Sequence, residues 1–314
     1  MTCAYLIQSH TNPAQLLRLV RTIRRGSPRA PVLVVHDATR CELDQAAFRG
    51  TGGVRVLSRR LPVERGGFSM VDSLLEGLRL LLGEAPGERA WDFDWLAYLS
   101  GQDYPARPTR QFEASLGAGG VDGYLRSWGI DGTDPASPWH PRQGRIRYLA
   151  QYARWPEPSR PLALLLRPLR ELTPLRVHRT YGLRVGWRPR RTPFDGPLRC
   201  YGGRQWWTLS RPCAEAVLGF ERRHPEAARW FRRTVAPDEA YVQTALRNDP
   251  RFRLHPDDRR YVDFRGSRDG RPRFLTMDDF KVLTSGSYDF ARKFDAARDP
   301  ELLDRIDAEV LAAR

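Results

Sequence analysis

Through the first third of the chain, short apolar runs alternate with helical patterns, and this alternation constrains the fold more than any other feature. Ala4 to Gln8 is an apolar run closed by Ser9-His10, after which Asn12-Pro13 opens a helical pattern in Leu16, Leu17, Leu19, Val20 and Ile23. Pro31 introduces Val32-Leu33-Val34-Val35, which has no polar alternation and ends on His36-Asp37, as expected of a strand buried on both faces. A helix is expected from Glu42 to Phe48 and a third strand from Val54 to Leu57. After Arg65-Gly66-Gly67, a long helix is expected through Met70, Leu74, Leu75, Leu78 and Leu82. Trp95 to Leu99 makes the fourth strand and ends in Ser100-Gly101-Gln102-Asp103-Tyr104-Pro105. A β-α-β-α-β-α-β order predicts the α/β class, with a mainly parallel central sheet flanked by helices.

Ligands of such sheets bind beyond the carboxyl ends of the strands, which directs attention to Ser9-His10, His36-Asp37 and Gly101-Gln102-Asp103. Neither G-x-G-x-x-G nor G-x-x-x-x-G-K follows the first strand, so a dinucleotide or P-loop enzyme is not indicated. Asp92-Phe93-Asp94 copies a D-x-D metal motif, but it precedes the fourth strand and reads as a solvated turn at the end away from the crevice.

The second half is less regular. Residues 130–196 are rich in Pro, Arg and Trp and read as an irregular insertion, either solvated loops or an acceptor-binding lid, within one domain spanning 1–314. Order returns with a strand from Tyr201 to Ser210 bearing Gln205, Trp206 and Trp207, then a helix containing Cys213, Ala216, Val217 and Leu218. Strand neighbours face opposite ways, so core packing is expected for at least one of the two tryptophans. Pro237 opens a helix whose first turn carries Asp238 and Glu239 and whose buried stripe is Val242, Ala245 and Leu246. Taken alone, that is an acidic helix start, with Asp238 as a cap. A strand from Tyr261 to Phe264, the loop Arg265-Gly266-Ser267, a short helix from Met277 to Leu283 and a last helix through Leu302, Leu303, Ile306 and Val310 complete the reading.

The net charge of +15 points to a polyanionic partner, a nucleotide diphosphate or a peripheral contact with an anionic membrane surface. Lys281 and Lys293 are the only lysines, and so arginine-dominated a composition looks like a coding bias. No helix-turn-helix, zinc or RNP-type signature accompanies it, which counts against nucleic acid. Cys3, Cys41, Cys200 and Cys213 are widely spaced and form no C-x-x-C pair, so reduced thiols in a cytosol are expected. Without a basic leader or a long apolar run (Leu162 to Leu166 is the longest outside the strands), the expectation is a soluble cytoplasmic chain with no signal peptide or transmembrane segment.

An ordered series of segments resembles one family, the core-2/I-branching β-1,6-N-acetylglucosaminyltransferases and peptide O-xylosyltransferases grouped as glycosyltransferase family 14. The series runs from Ala4-Tyr5-Leu6-Ile7 with His10, through Val35-His36-Asp37 and Gly66-Gly67, to Leu99-Ser100-Gly101-Gln102-Asp103-Tyr104-Pro105. It continues with Gly203-Arg204-Gln205-Trp206-Trp207, Pro237-Asp238-Glu239 with Thr244, and Phe290-Ala291-Arg292-Lys293-Phe294-Asp295. The resemblance implies a GT-A nucleotide-sugar fold and inverting, metal-independent transfer from a UDP-sugar, with N-acetylglucosamine or xylose as the sugar, to a glycan, peptide or small-molecule acceptor. Glu239 falls on the family's catalytic base, and Arg292 and Lys293 on its diphosphate-binding pair. Gln8, Ser9, Asp37, Val63, Glu64, Arg65 and Ser267 fall on nucleotide-contacting positions. Gln205 and Trp206, with Trp207 and Asp103 beside them, fall on the donor-sugar and acceptor side. Two positions depart from the xylosyltransferases: Gln205 replaces an Asp, and Arg65 replaces a bulky apolar residue.

The chemistry is consistent with these roles. Inverting transfer needs one ionised carboxylate to take the acceptor's hydroxyl proton, which suits Glu239. The departing diphosphate needs fixed positive charge, which Arg292 and Lys293 can supply without a cofactor or divalent metal. The alternative is a module of the same fold that binds nucleotide or glycan without turnover.

Overall fold

The computed structural model describes residues 1–135, 137–155, 175–267, 270–286 and 288–312. Four strands of the first third, β1 (Cys3–Ser9), β2 (Val32–Asp37), β3 (Val54–Arg59) and β4 (Trp95–Ser100), are followed by β5 (Asp103–Pro105), β6 (Gly123–Tyr124) and β7 (Ser127–Gly129). Next come β8 (Gln151–Arg154), β9 (Leu175–His178), β10 (Arg184–Trp187), β11 (Tyr201–Gly203) and β12 (Thr208–Ser210). The last strands are β13 (Leu254–His255), β14 (Arg260–Val262) and β15 (Phe290–Arg292).

The central sheet has seven strands in the order β13-β6-β12-β4-β1-β2-β3. β1 runs parallel to both β2 and β4, and β2 to β3, as the alternating pattern requires. β12 enters antiparallel between β4 and β6. Along β1, Ala4 and Leu6 face one core and Cys3, Tyr5 and Ile7 the other, which is why the run shows no polar alternation.

One core is covered by the helix Ser69–Leu81, which buries Leu74, Leu75, Leu78 and Leu81 at helical spacing. Each such side chain contributes about 1.5–3 kcal/mol. Gly77 lets this helix approach closely, since a Cβ there would sit 2.7 Å from Leu6 Cδ1. The other face receives the helix Pro13–Gly26, whose first turn is fixed by the Asn12 side chain accepting from the Gln15 amide and by Pro13 at its start. Gln15 ties it to the carboxyl end of the sheet by donating to the carbonyls of Gly101 (3.3 Å) and Phe294 (3.1 Å).

Five local expectations are corrected. The helix expected over Glu42–Phe48 is the single turn Ala46–Arg49, because the Asp44 carboxylate accepts from the Ala46 amide and holds the chain in a side-chain turn. Tyr201 to Ser210 is two strands rather than one. Trp206 and Trp207 both pack on Tyr98, at ring-centroid distances of 4.8 and 4.9 Å, and neighbours on a continuous strand cannot share a face. Pro237–Glu239 is a separate 3₁₀ turn; Ala240, at φ −141°, breaks it from the helix Tyr241–Arg247. Asp238 therefore caps nothing. The strand expected to Phe264 ends at Val262, where Asp263 instead accepts from the Arg265 amide. Finally, the described part of the insertion is not irregular. It holds the helix Pro141–Tyr148 and an antiparallel sheet in the order β8-β10-β9. Leu162 to Leu166 lies outside the described residues.

Candidate active site

The sheet sets the carboxyl ends of β1, β2 and β4 side by side, with Ser9 opposite His36 and Gln8 opposite Ser100. Ser9 Oγ lies 2.7 Å from His36 Nδ1, while His36 Nε2 lies 2.7 Å from the Cys41 carbonyl. Only Nε2–H can donate to a carbonyl, so Nδ1 accepts from Ser9 and the buried ring is satisfied at both ends. Gln8 donates to the Met70 carbonyl (3.0 Å) and accepts from Gln205 Nε2 (3.4 Å), which brings two of the expected residues together.

Asp37, at the end of β2, accepts from the Thr39 hydroxyl (2.5 Å), the Thr39 amide (3.0 Å) and the Val63 amide (2.8 Å). Burial alone would raise its proton affinity, but these hydrogen bonds and Arg40 outweigh it and hold the carboxyl below its usual range. The aspartate thus fastens the loop of Val63, Glu64 and Arg65 over the sheet. Arg65 stacks on the Tyr181 ring (5.1 Å) and donates to the Gly270 carbonyl (2.9 Å), and Glu64 is ion-paired with Arg154. Ser267 follows β14 and keeps a buried hydroxyl with no hydrogen-bond partner among the described residues.

β15 brings in the cations. Its register sets Arg292 opposite Asp103 of β5, with Arg292 Nε 3.4 Å from Asp103 Oδ1 and the guanidinium 4.5 Å from the Trp206 ring centroid. Burial works against the charge of Arg292, and Asp103 restores part of it. Phe290 and Phe294 are buried on either side, as the sequence pattern requires. Lys293 lies over the Phe274 ring (4.0 Å), and no carboxylate pairs with it among the described residues. Its proton affinity is lowered by burial first and then by Arg292, Arg271, Arg65 and Arg298. Lys293 therefore stands in an excess of positive charge that an anion would relieve.

Glu239 Oε2 accepts from Arg147 Nη1 at 2.6 Å. Asp238, beside it, has an Oδ1 sealed from solvent with no partner among the described residues. Burial and then the charge of Glu239 push the Asp238 carboxyl up to about 7. The two centres are linked electrostatically. Arg65 acts electrostatically on both Asp238 and Lys293, and the Tyr98 phenol feels both Asp238 and Arg292.

Two expected site residues lie elsewhere than on the crevice wall. Trp207 is 0% exposed, and its carbonyl takes the Tyr98 amide (3.0 Å) and Arg260 Nη2 (2.8 Å), so its place is the core. Asp103 is 1% exposed and engaged by Ser100 and Arg292, which makes it the partner that sets Arg292 in position. Asp94 accepts from the Thr2 amide (2.7 Å) at the amino end of β4, away from the crevice. Among the described residues no group of three or more His, Cys, Asp or Glu side chains is arranged to hold a metal ion, and no helix is long and apolar enough to cross a membrane.

The sequence reading missed Arg147, Arg154, Tyr181 and Arg184, all from the insertion. In a chain with 52 basic residues, nearly all of them arginine, no local signal distinguishes the one arginine that meets Glu239.

A family model described as Core-2/I-Branching enzyme matches residues 185–284, the stretch that carries the tryptophan pair and the Glu239 turn. Two proteins of Arabidopsis thaliana are similar in sequence. β-glucuronosyltransferase GlcAT14B is 22% identical over 98% of this chain and 66% of its own length. β-glucuronosyltransferase GlcAT14A is 26% identical over 40% of this chain and 29% of its own. The chain thus spans less than two thirds of either relative. Among solved structures, the galactosyltransferase LgtC is 10% identical with a TM-score of 0.38, covering 95% of this chain and 88% of that one. Mouse xyloside xylosyltransferase 1 is 10% identical with a TM-score of 0.36, covering 93% and 97%. Likenesses that distant carry no residue roles. The chain is thus similar, over part of its length, to Core-2/I-branching enzymes and, more distantly, to the two plant proteins, and its own architecture is a mainly parallel sheet flanked by helices.

Proposed function

We propose that the chain is an inverting, metal-independent glycosyltransferase that moves a sugar from a UDP-sugar to an acceptor hydroxyl. The observation that carries this reading is the presence of two unlike charged centres: the carboxylate of Glu239, and the Lys293 ammonium, which no carboxylate pairs among the described residues and whose proton affinity burial and the nearby arginines lower. A base and a diphosphate cradle are the two parts that such a reaction requires of the protein. Gln8, Ser9, Asp37, Val63, Glu64, Arg65 and Ser267 would hold the nucleotide, and Gln205 with Trp206 the donor sugar.

For the donor, the resemblance points to N-acetylglucosamine or xylose. The plant relatives are named for glucuronate transfer, and Arg65, beside Tyr181, would suit a sugar that bears a carboxylate. The test is UDP release from UDP-N-acetylglucosamine, UDP-xylose and UDP-glucuronate by the purified chain, in excess chelator and with added manganese. At least one donor is expected to turn over, at the same rate in chelator. Activity that disappears in chelator and returns with manganese refutes metal independence. UDP binding with no donor consumed identifies a binding module instead.

A further inference from the structure

The proposed base does not stand alone on its turn. The helix Pro141–Tyr148 and the β8-β10-β9 sheet grip that turn and the Glu64–Gly66 loop together. The Val235 amide donates to the Arg147 carbonyl (3.2 Å), the Tyr148 hydroxyl to the Ala236 carbonyl (3.1 Å), and the Tyr152 amide to the Arg233 carbonyl (2.7 Å). On the loop side, the Gly66 carbonyl accepts from both the Ala236 amide (3.1 Å) and Arg184 Nη2 (3.0 Å). Tyr181 lies so close to Gly66 that a Cβ there would fall 2.4 Å from its ring, at a positive φ of 70° that only glycine adopts readily. Within this frame Arg147 extends over the Trp139 ring (5.0 Å) to Glu239, with 11% of its side chain exposed. Among the described residues it forms no hydrogen bond or ion pair with the carboxylate next door, Asp238, on which its charge acts only from a distance.

Two adjacent carboxylates in a partly buried place cannot both ionise cheaply, and a cation touching only one of them decides which does. We propose that Arg147 is the positioning residue of Glu239, fixing its side chain and keeping the negative charge on Glu239 while Asp238 keeps the proton. The inference rests on Glu239 being the base. The insertion then holds the base ready rather than hanging in solvent. The charged and titratable groups around the pair include Asp238 on the same turn, Arg147 and Tyr148 from the helix, Tyr181 and His178 from the hairpin, Arg65 from the loop, and Tyr98 of β4, whose phenol burial keeps neutral. Burial, with Arg147 and Arg184, pushes His178 down to about 4, and burial first pushes Tyr181 up to about 12, so both stay neutral and Arg147 is the cation that meets Glu239.

The experiment compares Arg147→Ala and Arg147→Lys with the parent chain. The readouts are UDP affinity by calorimetry, the pH profile of UDP release from whichever of the three donors turns over, and a ¹³C-carboxyl NMR titration in which Glu239 is assigned by difference from Glu239→Gln. Arg147→Ala is expected to bind UDP within about twofold of the parent, since the loss falls on the base and not on the nucleotide. Its acid limb and its Glu239 titration are expected to move to higher pH by about one unit or more, the size typical of a lost Arg–carboxylate contact. Arg147→Lys is expected to recover most of that movement. A folded Arg147→Ala with an unmoved acid limb and titration overturns the inference, as does a lysine variant no better than alanine. Should Arg147→Ala fail to fold, the lysine variant and the titration of the parent against Asp238→Asn still decide it, since a proton resting on Glu239 in the parent also overturns it. If Glu239→Gln keeps parental turnover, it is the base assignment that fails. An inactive Glu239→Gln beside an unmoved Arg147→Ala limits the failure to Arg147.

Discussion

The proposed site has two charged centres, and they are compensated in opposite ways. Glu239 carries a negative charge that is met inside the protein by Arg147 at 2.6 Å. Lys293 carries a positive charge with no paired carboxylate among the described residues, beside Arg292, which is paired with Asp103, and Arg298, which is paired with Asp295. A compensated anion can receive and release a proton without moving. A cation without a paired carboxylate, set among other cations, gains when an anion arrives. On this contrast rests our proposal of proton transfer at one centre and diphosphate binding at the other.

The sharpest way to break that division is Glu239→Gln. The amide keeps the shape but cannot take a proton, so turnover should fall by about 10²- to 10⁴-fold while UDP affinity stays near parental. A rate profile showing parental turnover would remove Glu239 from the chemistry. The reverse pattern is expected at the other centre. Arg292→Ala and Lys293→Ala should each weaken UDP binding by about 1.5–3 kcal/mol, or about 10- to 150-fold, and lower turnover with it. Parental UDP affinity in the double variant, measured by calorimetry, would mean that the cation cluster is not the diphosphate site.

The two centres also differ in how far the sequence reveals them. The strand ends at Ser9, Asp37 and Ser100 follow from uninterrupted apolar runs, and the structure places them as read. Arg292 and Lys293 are framed by Phe290 of β15 and Phe294 just beyond it, whose burial is a local pattern. At the other centre the local pattern misleads. Pro237-Asp238-Glu239 reads as the start of a helix, yet Ala236 at φ 51° and Ala240 at φ −141° set it off as a turn of its own. What holds that turn comes from far away in sequence: Arg147 is separated from Glu239 by 92 residues and lies in a segment whose composition suggests only solvated loops. Long-range pairing of polar side chains leaves no periodicity behind it, whereas burial does. Trp206 and Trp207 fail for a related reason, because both turn to the same ring, Tyr98, and no strand pattern anticipates that.

The smallest expected effect on turnover sharpens the comparison most, because it separates two neighbouring carboxylates. Asp238, with its carboxyl pushed up to about 7 by burial first and Glu239 second, keeps its proton below neutrality and gives it up as pH rises through about 7. Asparagine copies a protonated aspartate in shape and charge, so Asp238→Asn should keep turnover within about tenfold of the parent at neutral pH, far from the loss expected at Glu239. Its stability tells more. In the unfolded chain Asp238 releases its proton near its ordinary value of 3.8, while the folded chain holds it to about 7. Between those values the folded state binds more protons than the unfolded one, so the stability present below the window is lost as pH rises through it. Asp289, pushed up to about 6 mainly by burial, adds a slope of the same sign that remains in the variant. Urea denaturation at about pH 5 and about pH 8 should therefore show the parent losing more stability than Asp238→Asn, by on the order of 1–3 kcal/mol given the partial exposure of the residue. Equal losses in the two proteins would mean that Asp238 is ionised in the folded state at neutral pH, and the charge would then be shared between the two carboxylates rather than held on Glu239.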